Sequence, residues 1–149
     1  MIKMLFFFFL SIASLPLFAH QNNQVELSNN DKFLLDILQK IVSSNNEADQ
    51  VNLMNDFQKK IANMSVSDRS RLDLSVIKKI SGLLANRNAY IRSSAALSLG
   101  DIGRAACSEK SSLEKALYDE EHPPGVFKVF PSHGNEGVLR DAISKMHCN

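Results

Sequence analysis

The chain has 149 residues, 44% of them hydrophobic and 22% charged, with a formal net charge of +1, no Trp and two Cys. That is enough for one hydrophobic core and too little for a large multi-domain enzyme. The near-zero charge excludes a protein whose main task is to coat nucleic acid, and two cysteines exclude a four-thiolate zinc site and a disulfide-dense miniprotein.

Residues 1–19 differ from the rest. Lys3 supplies a positive start, Met4 to Phe18 is an uncharged apolar run, and Leu17-Phe18-Ala19 ends on a small residue suited to cleavage. This is the pattern of a secretory signal peptide. The run covers 15 residues and contains Pro16, short of the roughly 20 that a spanning helix needs, so cleavage before His20 is expected over an uncleaved anchor. Removal of Lys3 leaves the mature chain formally neutral. An exported protein meets an oxidising compartment, where Cys107 and Cys148 are expected to pair, the alternative being two separate thiols. The expected location is periplasmic or secreted.

His20 to Asn30 is polar and amide-rich and reads as a flexible leader, with the folded domain running from residue 31 to 149. Phe33, Leu34, Ile37, Leu38, Ile41 and Val42 then recur at helical spacing, with Asp31, Asp36, Gln39 and Lys40 facing away and Asn29 or Asn30 as cap. After a polar break at Ser43 to Asn46, Val51, Leu53, Met54, Phe57 and Ile61 form a second apolar face. A third helix, capped by Ser67 or Asp68, is expected to carry Leu72, Leu74, Val76, Ile77, Ile80, Leu83 and Leu84 and to stop at Asn86-Arg87-Asn88. A fourth runs from about Ala89 to Gly103 with Ile91, Ala95, Ala96, Leu99 and Ile102 inward. Leu113, Ala116 and Leu117 begin a shorter fifth helix, which Pro123-Pro124-Gly125 ends. Val126 to Pro131 is an aromatic and apolar loop expected to cover the open end of the fold, the alternative being a partner-binding patch, and Gly137 to Met146 forms the last helix. With no alternating strand pattern, the chain is expected to be all-α.

Compared with itself, the chain repeats. Leu34, Leu35, Leu38, Ile41 and Val42 match Val76, Ile77, Ile80, Leu83 and Leu84, and Leu53, Met54 and Phe57 match Ala95, Ala96 and Leu99, a register of 42 residues. A period near 40 made of paired helices points to an α-solenoid, here of about three pairs with the last degenerate.

The stretch from Val76 to Gly103, VIKKISGLLANRNAYIRSSAALSLGDIG, resembles a HEAT repeat. Its small residues allow close helix approach, and its glycines, Gly100 and Gly103, allow the helix to stop. The resemblance implies a helical surface for protein partners. It also implies a connector Asp paired with the Arg that opens the next helix. Here Asn86 stands in the Asp position while Arg92 is retained, so neutral hydrogen bonds are expected in place of a charged ladder between repeats.

Candidate chemistry is sparse. Of His20, His122, His133 and His147, the third lies three residues from Glu136 and the last adjoins Cys148. Neither is a metal-ligand spacing, so no metal and no cofactor are expected. The sequence contains no GxSxG, phosphate-cradling loop or HExxH. Charge is more informative: residues 59 to 110 hold ten basic residues against four acidic ones, and Glu114 to Glu121 is net negative. Lys78, Lys79, Arg87 and Tyr90 are therefore the expected partner-binding residues, suited to an acidic protein. The reading is a non-catalytic binding module of the cell envelope, an adaptor or an inhibitor of the immunity type. The rival is an envelope hydrolase or metal-dependent enzyme using His133, Glu136 or His147.

Overall fold

A computed structural model describes residues 26–122 and 135–148. The expected signal peptide, most of the leader, the loop from Val126 to Pro131, His20 and His133 lie outside the described residues. Among the described residues every regular element is helical, and the all-α expectation holds.

Helix α1 spans Asn29–Ser43. Ser28, one residue before the expected caps, accepts from the Asp31 amide at 3.1 Å and donates to the Asp31 carboxylate at 2.5 Å. Leu34, Ile37, Leu38 and Ile41 are buried, whereas Phe33 and Val42, expected inside, are 50% and 63% exposed. A helical stripe wide enough for both would need neighbours on three sides. Asp31, expected outside, is buried, and its Oδ1 accepts the amide of Asp73, the residue that caps the helix beginning at Leu74, at 3.1 Å.

Helix α2, Glu47–Asn63, is capped by Asn46 and buries Met54, Phe57 and Ile61 against α1. The expected third helix is broken up. A single turn, α3, spans Val66–Arg69 under a Ser65 cap. The longer helix α4, Leu74–Gly82, starts only after Asp73, whose carboxylate accepts from the Ser75 amide. Leu72 is buried outside the helix, Leu74 is 47% exposed within it, and Leu83–Ala85 tighten into a 3-10 turn. Asp73 caps α4, and the helix start it sets leaves Leu72 outside the helix and Leu74 in its first turn.

Helix α5, Ala89–Ile102, starts where expected, under an Asn88 cap. It ends at Gly103, whose φ of 71° and ψ of −133° suit a residue without a Cβ. A 3-10 segment, Gly103–Glu109, leads into α6, Lys110–Glu121, and α7 spans Asn135–Lys145. The packing partners are α1 with α2 and α4, α2 with α5, α5 with α4 and α7, and α6 with α7. One contiguous core joins them, and Gly100 lets α5 and α7 touch: a Cβ there would stand 2.9 Å from the Ala142 Cα.

The α1–α2 and α4–α5 connections are built alike. Asn46 and Asn88 each cap the second helix through the amide two residues on, those of Ala48 and Tyr90. Their own amides are held by the Ser44 hydroxyl and the Asn86 side chain. Gln50 and Arg92, four residues into each helix, reach back to the Ser44 and Asn86 carbonyls at 2.8 and 3.0 Å. Each position differs from its counterpart by the 42 residues of the sequence repeat.

Candidate functional site

Arg92 anchors the most connected polar group. Its Nη1 donates to the Asn86 and Arg87 carbonyls at 3.0 and 3.1 Å, holding the α4–α5 connector. Its Nε and Nη2 donate to Glu120 Oε1 on α6 at 3.0 and 2.7 Å, with side-chain exposures of 24% for Arg92 and 10% for Glu120. Asn135, buried at the start of α7, donates to Glu120 Oε1 at 3.3 Å and takes a hydrogen bond from the Ser93 hydroxyl. The neutral bonds expected from Asn86 are present as carbonyl contacts. The charged contact persists as well, with its carboxylate supplied by α6 in place of the connector. Nothing local in the sequence marks Glu120 for this role, since the partners stand 28 residues apart inside a run of acidic residues.

The expected partner-binding residues address different neighbours. Lys79 donates to Gln39 of α1 at 2.9 Å. Tyr90, 42% exposed, bonds through its hydroxyl to Asn55 of α2, beside a bond from Asn88 to Glu47 at 2.5 Å. Arg87 is exposed in the connector and contributes its carbonyl to Arg92. Lys78 turns the other way, onto a cleft of about 430 Å³ between α4 and α6 that Ser81, Gly82, Ala85, Lys115 and Ala116 also line.

Cys107, in the 3-10 segment after α5, and Cys148, after α7, are joined in a disulfide with Cα atoms 5.7 Å apart, so the expected pairing is present. Of the histidines, His122 stacks on Tyr118 at the end of α6 and His147 is exposed at φ 49°. Glu136 lies half-buried in the first turn of α7. Among the described residues no three His, Cys, Asp or Glu side chains gather as a metal site, and no helix is long and apolar enough to cross a membrane.

Asp73 and Lys145 have displaced titration. Hydrogen bonds from Ser75, hydroxyl first and amide second, hold the Asp73 carboxyl below its ordinary value. The bond to Asp141 holds Lys145 above its own. Both are surface helix contacts, which fits structural service. Comparison with protein-family models, curated proteins and solved structures finds no match.

Proposed function

We propose that the protein is a short HEAT-type α-solenoid, exported to the cell envelope, that works by binding another protein as an adaptor or as an inhibitor of the immunity type. In this reading α1/α2, α4/α5 and α6/α7 are three units, with α1, α4 and α6 forming one row and α2, α5 and α7 the other. The observation that carries it is the duplicated connector: cap, cap support and carbonyl brace recur at Ser44, Asn46 and Gln50 and again at Asn86, Asn88 and Arg92. A duplicated helix-pair unit with bonds running from each unit to the next is how a solenoid builds a continuous binding surface. The Cys107–Cys148 disulfide supports an oxidising compartment. Fold-level likeness warrants protein binding and no narrower task.

The test is affinity capture from envelope extract with the chain beginning at His20, oxidised, as bait. One stoichiometric protein retained after a modest salt wash is the expected result. Its identity separates an adaptor from an inhibitor, and nothing retained overturns the reading.

A further inference from the structure

Helices α4 and α6 face each other across the 430 Å³ cleft because two 3-10 segments stand between them. α4 packs on Gly103–Glu109, and α6 packs on Leu83–Ala85. Gly82, Leu84, Ala85 and Ala116 give the cleft small and apolar lining, Ser81 and Ser112 add hydroxyls, and its charged residues are Lys78 from α4 and Lys115 with Asp119 from α6. A Cβ at Gly82 would meet nothing within 4 Å, so the space continues over the α4 backbone.

The two lysines are not equivalent. Lys115 is held by Asp119 of its own helix at 2.5 Å. Lys32, Lys40 and Lys110 likewise each have a carboxylate within reach. Among the described residues Lys78, like Lys59, Lys60 and Lys79, has no such partner, and of these four it is the one that lines the cleft. An uncompensated cation beside a narrow strip of small residues is complementary to a helix that carries an acid and a small or apolar residue one turn apart. A volume of this size admits a row of a few side chains from such a helix.

We infer that the α4–α6 cleft seats an acidic amphipathic helix of the partner protein, with a Glu or Asp against Lys78 and side chains at i+3 or i+4 over Ala85 and Ala116. This rests on the protein-binding reading above and names the surface and the chemistry of the partner. Approach of the partner carboxylate leaves the Lys115–Asp119 pair in place. The open position at Gly82 is where the two backbones come closest.

The test uses the full oxidised chain with a photo-crosslinking benzoylphenylalanine in place of Ala85, and a second version with it in place of Asn52, exposed on α2. Each is irradiated in envelope extract and the attached peptide is sequenced. The expected product at position 85 is one peptide with acidic residues at helical spacing. Its yield falls about tenfold on Lys78→Glu, which replaces attraction by repulsion. Gly82→Phe, which fills open space, abolishes it, whereas Gly137→Phe, at an equally open glycine on α7, leaves it unchanged. Circular dichroism melting of the three variants, matching the parent, separates these effects from unfolding. A peptide without acidic spacing, a crosslink to a second copy of this chain, or a yield that survives Gly82→Phe overturns the inference. Crosslinking only at position 52 moves the interface to the other row, and no product at either position likewise overturns the inference; both leave the binding-module reading to the capture experiment.

Discussion

Gly100 and Gly82 are both helical glycines, and their surroundings predict opposite outcomes. A methyl at 100 would sit 2.9 Å from the Ala142 Cα and force α5 and α7 apart, so Gly100→Ala is expected to destabilise by about 1–3 kcal/mol. At 82 it meets nothing within 4 Å, and Gly82→Ala should gain up to about 1 kcal/mol of helix propensity. Thermal unfolding of the two variants decides the matter; equal shifts would mean that helix contact is not what fixes Gly100. Asp73 allows a second test. Its bonds from Ser75 lower the folded-state pKa below the unfolded one, so the stability it contributes is full above about pH 4 and is lost as pH falls through the lowered value. Asp73→Asn keeps a capping side chain without the titration, so its melting temperature should depend less on pH between about 5 and 2 than that of the parent. Some of this was readable in advance and some was not. The close approach at Gly100 could be anticipated from a run of small residues. The burial of Asp31 could not, because the amide that satisfies it belongs to Asp73, beyond any local period.

The comparable elements are the two connectors, and their differences are as useful as their likeness. Arg92 makes two carbonyl bonds and a partly buried ion pair, whereas Gln50 makes one neutral bond and leaves its buried Oε1 without a partner. Truncating Arg92 to Leu removes the cation from a partly buried ion pair and should cost about 2–3 kcal/mol. Gln50→Leu loses one neutral bond and removes an orphaned acceptor, so its cost should stay below about 1 kcal/mol. Urea unfolding of both variants is the measurement, and a larger loss at Gln50 would show that the connectors are not energetically ranked by their charge. Element boundaries were legible where a polar stop and a period agree, as at Asn86-Arg87-Asn88 before α5. They were not where two capping residues compete. The run Ser65 to Asp73 holds several, and the chain uses two of them to make a turn and a separate helix in place of the single helix that apolar spacing suggests. Of the candidate site, the types of residue could be read. Which neighbour each side chain addresses could not, because Lys78 and Lys79, adjacent in sequence, diverge onto α6 and α1.

For the molecule as a whole, the disulfide spans 41 positions and ties the segment after α5 to the chain end beyond α7. In the chain-entropy account such a closure is worth about 4 kcal/mol. Reduction, or replacement of both cysteines by Ser, should therefore lower the midpoint of thermal unfolding steeply; an unchanged midpoint would mean that α7 is held by its packing on α5 alone. That packing has a mechanical side. At Gly100 and Ala142 the two backbones already touch, and no rotamer change can let one helix slide over the other. On the opposite flank of α5, the contact with α2 is made partly by longer side chains, Tyr90 to Asn55 and Asn88 to Glu47, which can be re-seated in new geometries. Compliance is thus distributed unevenly: a load applied across the helices is transmitted stiffly through α5 and α7 and is absorbed between α5 and α2.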